Sequence, residues 1–487
     1  MTTVGVLGAG VSGLLMGMRL RQAGVDDFVL YEKLSDVGGT WLRNTYPGLH
    51  CDIPSHLYCY SFEPNPDWSL TYAGQVEIQA YLRRCAEKYD LVEQIRFETC
   101  VESARWDGDA GEWTLELADG AVARHRVLVA ATGGLTEPKL PRIDGLDRFE
   151  GPSWHSGAWR HDVDLSGLRV AVVGSAASAV QVVPEVAKRA AEVFVFSRTP
   201  NWVVPRNNTP YSDAERAALR EPANQRRLWL QQYRESMLWY GAFRRRPEAI
   251  DELRQACLAN MASAIEDPAL VAALTPDFDP GCNRILVSDD YYPALAQPHV
   301  HLVAHGVTGL TERAVVAADG TQTEVDAVVF CTGYRLGGRS DGRPALDVYG
   351  RGGRELRRAL AERTEAYRGV AVPGFPNYFT ICGVNGTVAY GPVFLSAELE
   401  TEYIAGWVRR IVDDDLRAVE PRADVTEAYN EAIQAELAEM SWTGDCPNFY
   451  RGAGGRIVSF FPGTVGRMRR ELRGAPEDDY LITARTT

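Results

Sequence analysis

The 487-residue chain lacks the features that mark several large protein classes. No run approaches the ~18 uninterrupted apolar residues of a membrane helix, so no bilayer-spanning segment is expected. The nine cysteines, from Cys51 to Cys446, contain no C-x-x-C pair and no zinc spacing. That argues against a dithiol redox centre, a bound metal and a disulfide framework, and for a reducing, cytoplasmic setting. Basic excess is missing too: 51 Lys and Arg against 65 Asp and Glu leave a net charge of −14, a poor match for nucleic-acid phosphates. The runs Arg244-Arg245-Arg246 and Arg467-Met468-Arg469-Arg470 are short and are read as solvated helix faces. The apolar opening from Val4 to Leu20 has no basic residues ahead of it, so it is not read as a signal peptide. Apart from two nested strand–helix–strand units, no unit of about 20 to 50 residues repeats along the chain.

What is present begins with glycines. Val4 to Leu7 is a short apolar run, followed by Gly8-Ala-Gly10-Val-Ser-Gly13, a helical stretch to Gly24, and a second apolar run from Phe28 ending at Glu32. This order of strand, G-x-G-x-x-G, helix, strand and acid specifies a dinucleotide-binding unit. Gly8 allows the tight turn, Gly10 lets the backbone approach a pyrophosphate, and Gly13 lets helix and strand pack closely. The free N–H groups of the helix start suit the phosphates. Glu32, nineteen positions beyond Gly13, is placed to accept from ribose hydroxyls.

A second unit opens at Leu168 to Val173 with Gly174-Ser175-Ala176-Ala-Ser178-Ala179. Ala179 is a tolerated variant in the packing position, whereas Ala176 puts a Cβ where the backbone must approach pyrophosphate. Its next strand, Glu192 to Phe196, leads to Arg198. Counted from the first glycine of each unit, Glu32 stands at 8 + 24 and Arg198 at 174 + 24. An acid reads a ribose diol and an arginine clamps a 2′-phosphate, which argues for NADPH. The apolar runs ending at Ala131-Thr-Gly133 and Cys331-Thr-Gly333 are read as the strands by which the chain leaves each unit.

Between Gly38 and Asp52 the chain reads GGTWLRNTYPGLHCD, too irregular for a packed element and read as the wall of a site. Its spacing GG-x-W-xxxx-YPG-xxx-D resembles a fingerprint of class B flavoprotein monooxygenases, which include Baeyer-Villiger and flavin-containing monooxygenases. Phe149, Gly151, His155 and Trp159 match F-x-G-x-x-x-H-x-x-x-W, which resembles the Baeyer-Villiger signature. Arg160 stands where that family usually has Pro or Asp. His155 is read as ordering the interdomain linker, not as touching substrate.

The resemblance implies an α/β fold of two nested Rossmann-like domains. FAD binds residues 1–145 and 337–487, NADP binds 146–336, and a helical insertion spans 210–275. It implies cofactor-binding roles for Gly8, Gly10, Gly13, Glu32, Thr40, Trp41, Asp52, Tyr58, Val101, Gly174, Ser175, Ser178, Gln181, Arg198, Thr199, Arg284 and Trp442, and no metal. Arg284 is the expected catalytic cation, paired with Asp52. The family's usual lysine before it is Asn283 here, which with Ala176 weakens the case for strict NADPH selectivity. The aromatic residues Trp229, Tyr233, Trp239, Tyr240 and Phe243 are read as helix packing. Gly-rich Arg335 to Arg343 is expected as a loop, Gly374 to Phe379 and Gly383 to Gly386 as flavin-facing segments, and Ala397 to Val412 as the final helix.

The activity implied is insertion of one oxygen from O₂ beside a ketone carbonyl through a C4a-peroxyflavin, giving an ester or lactone. The substrate would be a small-molecule ketone, with a secondary-metabolite intermediate among the candidates. Three alternatives stay open: oxygen transfer to an amine or sulfide, an uncoupled NADPH oxidase or flavin reductase, and a flavoprotein without catalytic function. Oligomeric state and substrate identity are not legible.

Overall fold

The structure, a computed structural model, describes residues 2–335, 346–446, 448–452, 454–474 and 476–485. The expected loop beyond Arg335 and the boundary at 336 fall outside the described residues.

Two five-stranded sheets carry the fold. In the first, strands run in the spatial order Tyr378–Thr380, Val127–Ala130, Val4–Leu7, Phe28–Tyr31 and Ile95–Arg96, all parallel. In the second the order is Val300–Val303, Glu192–Phe196, Arg169–Val173, Ala327–Phe330 and Ser153–His155, again all parallel. Parallel strands need crossover connections that cover both faces, so their residues read as continuous apolar runs. Val4–Leu7, Phe28–Tyr31 and Val127–Ala130 are buried at every position. Each Val or Leu so buried contributes about 1.5 to 3 kcal/mol. The strand Tyr378–Thr380 returns to the first sheet after the whole second sheet has been built, so one unit is nested inside the other.

Four helices, Asp213–Leu219, Pro222–Phe243, Pro247–Ala262 and Pro268–Leu274, fill the expected insertion. The middle helix lays Phe243 into a core with Val388, Tyr390 and Trp442, with Trp229, Tyr233, Trp239 and Tyr240 packed against it. Its aromatic face is thus helix packing.

Three expectations need correction. The helix Val393–Asp413 is not the last: Ala423–Leu437 and Val465–Arg473 follow, with a strand pair Leu416–Pro421 and Tyr480–Ala484. Arg467 is no plain solvated charge, because it pairs with Glu436 and Glu471 and lies over the Phe461 ring. Cys282 and Cys446, 164 positions apart, form a disulfide, while the other seven cysteines are free. Sequence spacing cannot reveal a pair that only tertiary folding brings together.

Candidate active site

The two glycine turns lie at the carboxyl ends of their strands, the usual ligand edge of such sheets. Gly8 (φ 103°) and Gly174 (φ 130°) occupy the left-handed region, and a Cβ on either would lie 2.6 Å from the Ala131 carbonyl oxygen or 2.4 Å from that of Cys331. The protein's own exit strands therefore demand both glycines. Gly10 is different. A Cβ there would meet nothing nearer than the Gly39 Cα at 3.4 Å, and its φ of −79° suits any residue. Bareness at Gly10 serves something outside the chain, as a pyrophosphate approached by the backbone would require. The Val11–Gln22 helix has no side-chain cap and no acid in its first turn, which leaves its positive end to an anion. Glu32 is 4% exposed at the end of its strand, where its carboxylate accepts from the Ala9 and Leu34 N–H groups at 2.7 and 2.9 Å.

The stretch from Gly38 to Asp52 belongs to both units. Trp41 and Cys51 lie in the first unit's core, whereas Tyr46 lies in the second's. Gly38 donates to the Ala9 carbonyl at 3.0 Å, seating the double glycine on the first phosphate turn. Thr40 opens the one-turn helix Thr40–Arg43, and the Trp41 indole N–H donates to the Tyr58 hydroxyl at 3.0 Å. Farther along, the His50 N–H donates to Gln181 Oε1 at 2.8 Å, and Gln181 Nε2 donates to the Ala177 carbonyl at 2.9 Å. Ser178 lies close enough to the buried Tyr46 hydroxyl to offset part of the rise that burial gives its pKa. This wall thus grips the helix start of the second unit.

Asp52, at its far end, meets Arg284. The Arg284 Nε donates to Asp52 Oδ2 at 2.9 Å, and its Nη2 donates to the same oxygen. The Asp52 charge raises the guanidinium's pKa beyond its already high value, more than burial lowers it. Arg284 keeps 45% of its side-chain surface accessible, so the guanidinium that Asp52 holds remains open to an incoming group. Tyr450, 3% exposed, lies close enough to feel the same charge.

Of the remaining expected residues, Ser175 donates from Oγ to the Thr199 carbonyl at 2.7 Å. Arg198 is exposed beside Gly306 and has no partner among the described residues, which suits it to an incoming phosphate. Val101 is buried with Leu7 and Tyr31. Trp442, 1% exposed, packs among Phe243, Tyr450 and Phe460 instead of lining open space. His155, at the end of the edge strand Ser153–His155, accepts the Gly157 N–H at 2.9 Å through Nδ1 and sits edge-on to Tyr334. A surface hollow of about 540 Å³ bounded by Glu63, Arg84 and Lys88 includes none of the expected site residues.

Sequence reasoning missed Asn44, 2% exposed. Its Nδ2 donates to the Thr40 and Leu135 carbonyls at 3.0 Å each, and its Oδ1 accepts from the Tyr334 hydroxyl at 2.7 Å. It holds the wall against both exit segments. Its one signal was a polar residue two positions before the YPG triplet.

The comparisons agree with this geometry. The flavin-binding monooxygenase-like family matches residues 1–212. A Baeyer-Villiger monooxygenase of Streptomyces coelicolor is 41% identical over 98% of this chain and 92% of its own length. The chain belongs to the Baeyer-Villiger monooxygenases. A solved oxidized steroid monooxygenase bound to NADP is 29% identical, covers 99% of this chain and 100% of its own, and gives a TM-score of 0.88. OTEMO in complex with FAD and NADP is 25% identical, covers 99% of both chains and gives 0.87. Within this Baeyer-Villiger monooxygenase the residues present fit two dinucleotides: a bare Gly10 and an uncapped helix start in the first unit, and in the second an Arg198 with no partner among the described residues.

Proposed function

We propose that the chain is an FAD- and NADPH-dependent Baeyer-Villiger monooxygenase. It takes a ketone and O₂, inserts one oxygen atom beside the carbonyl to give an ester or lactone, and oxidises NADPH with release of water. Residues 1–145 and 337–487 form the FAD domain and 146–336 the NADP domain. Gly8, Gly10, Gly13, Glu32, Thr40, Trp41 and Tyr58 would hold FAD, while Gly174, Ser175, Ser178, Gln181, Arg198 and Thr199 would hold NADPH. The bound flavin supplies electrons taken from NADPH and the activated oxygen.

The protein's contribution is charge and position. Arg284 keeps its charge at any working pH and leaves nearly half of its side chain accessible, where it would stabilise negative charge developing on the ketone oxygen. Asp52 fixes its direction through two N–H donors on one oxygen. An arginine so placed suits a nucleophilic attack on a carbonyl. The observation that supports this reading is the Asp52–Arg284 pair, which ties the end of the irregular wall to the catalytic cation the resemblance implies. No helix among the described residues is long and apolar enough to cross a membrane, in keeping with a cytoplasmic enzyme.

Arg284→Ala should retain FAD and its reduction by NADPH yet lose ester formation by about a hundredfold or more, the scale of a removed oxyanion donor. Product analysis with a ketone and a thioether offered together checks it. Ester at the normal rate would remove Arg284 from the mechanism, and sulfoxide as the sole product would favour heteroatom oxygenation.

A further inference from the structure

Asn283, where the resemblance implies a lysine, makes hydrogen bonds in two directions. Its Oδ1 accepts from the Arg284 backbone N–H at 2.8 Å, and its Nδ2 donates to Asn201 Oδ1 at 3.0 Å. Asn201 Nδ2 donates to the Ser175 carbonyl at 3.0 Å, and Ser175 Oγ donates to the Thr199 carbonyl at 2.7 Å. Ser175 is the second residue of the Gly174 turn, and Thr199 follows Arg198. An unbroken polar chain therefore runs from the second phosphate turn to the backbone of Arg284.

Local folding explains the encounter. The short strands Val203–Val204 and Leu286–Val287 pair in parallel, with Val203 opposite Leu286. The Trp202 carbonyl accepts from the Leu286 N–H at 2.8 Å, so the residues just ahead of each strand come abreast. A lysine at position 283 could only donate and would reach outward as a point charge. An asparagine amide accepts and donates at once, which is what a link between a backbone N–H and a second amide needs.

We infer that Asn283 and Asn201 are positioning residues that couple the NADPH phosphate turn to the catalytic arginine. The inference rests on the assignment of that turn to NADPH and of Arg284 to oxygenation. In exchange for one charged contact to the dinucleotide, this chain gains a tether: ordering Ser175 on binding also orders Arg284, whose side chain Asp52 already holds. The coupling is reciprocal, so holding Arg284 in place also tightens the turn.

Hydrogen exchange of the FAD-loaded enzyme with and without NADP⁺ tests it. In the wild type, NADP⁺ should slow exchange at both 174–176 and 283–286. In Asn283→Ala and in Asn201→Ala it should slow exchange at 174–176 only. Ester formed per NADPH consumed should fall about three- to tenfold in each, the scale of one lost hydrogen bond, and mostly without a matching rise in KM for NADPH. The double variant should be no worse than either single one, because both break one chain. Asn283→Lys should raise the preference for NADPH over NADH while losing the transmitted protection. Protection at 283–286 that survives in both alanine variants would overturn the tether, as would an unchanged ester yield. A wild-type enzyme that forms no ester from any ketone would instead overturn the reading of the site on which the tether rests.

Discussion

In the first nucleotide unit the helix begins at Val11, three residues after Gly8 (11 − 8), and in the second at Ala179, five after Gly174 (179 − 174). The underlying bonds are equivalent: Leu14 N–H to the Gly10 carbonyl at 3.0 Å, and Val180 N–H to the Ala176 carbonyl at 3.1 Å. The difference lies in where regular helix starts: in the second unit Ser178 still precedes it, and Gln181 N–H reaches the Ser178 carbonyl at 3.3 Å. That looser opening admits the buried methyl of Ala179, while the tight one admits no methyl at Gly13, whose Cβ would stand 1.9 Å from the Gly8 carbonyl oxygen. The first unit is thus built around permanent close packing. The second leaves room, exposes Ala176 and Arg198, and spends its polar side chains on holding neighbours.

Copying the second unit's alanines into the first breaks the comparison most severely. Gly13→Ala forces backbone apart and should cost about 3 kcal/mol or more, seen as a lower unfolding midpoint and a colourless protein. Gly10→Ala should leave the midpoint of the flavin-free protein within about 0.5 kcal/mol of wild type, since nothing in the chain crowds the methyl. Its FAD affinity should still fall by at least about tenfold, read by flavin titration. Equal losses of stability in the two variants would mean that Gly10 is bare for packing and not for a ligand.

A smaller change sharpens the contrast from the other side. Arg198→Ala should lower the NADPH over NADH preference by about ten- to a hundredfold, the scale of a charge-assisted hydrogen bond, with NADH kinetics little changed. Ala176→Gly should tighten both dinucleotides a few-fold by removing a methyl from the approach path. A preference unmoved by Arg198→Ala would leave the exposed guanidinium without its assigned role.

The legible parts of the molecule were those whose signal is local. Glycines at fixed offsets, fully apolar strands and the acid or arginine at the next strand end could all be read within about thirty residues, the span of one βαβ unit. The Asp52–Arg284 contact, 232 positions apart (284 − 52), came only through family resemblance, and the structure then brought the two side chains together. Links without a pattern stayed hidden: the Cys282–Cys446 bridge, the grip of Asn44, and the Asn283–Asn201 bond, which depends on two strands of two residues each. Asn283 looked like a loss because sequence shows what a residue replaces, not what it touches. The helix Ala423–Leu437 was not anticipated, and the run Arg467 to Arg470, read as a solvated helix face, lies on the helix Val465–Arg473 with Arg467 tied to Glu436.

Both units bury histidine, His56 and His125 in the first and His155 in the second, and His125 and His155 should respond differently to acid. Burial pushes His125 and His155 down to about 4. An unfolded histidine titrates near 6.5, so between these values the unfolded chain binds a proton that the folded chain refuses. Stability is therefore fully present above about pH 6.5 and declines as pH falls toward about 4, by about 0.7 kcal/mol per histidine between pH 7 and 6. His125, beside the first sheet, has a partner for each nitrogen, the Thr2 carbonyl at 2.9 Å and the Tyr31 hydroxyl at 3.0 Å, and the hydroxyl can reverse its role when the ring gains a proton. His155 accepts the Gly157 N–H through Nδ1, and its Nε2 faces the Gly333 carbonyl without a well-formed hydrogen bond. A proton on Nδ1 would meet that N–H head-on and release the Ser156–Ala158 turn. Exchange protection, corrected for the intrinsic pH dependence of amide exchange, should thus fall more steeply at 156–158 than in Val4–Leu7 between pH 7 and 5. His155→Gln keeps an acceptor and removes the titration, so it should flatten the pH dependence at 156–158 and leave that of the first unit unchanged. An identical slope in the variant and the wild type would show that acid enters the second unit by another route.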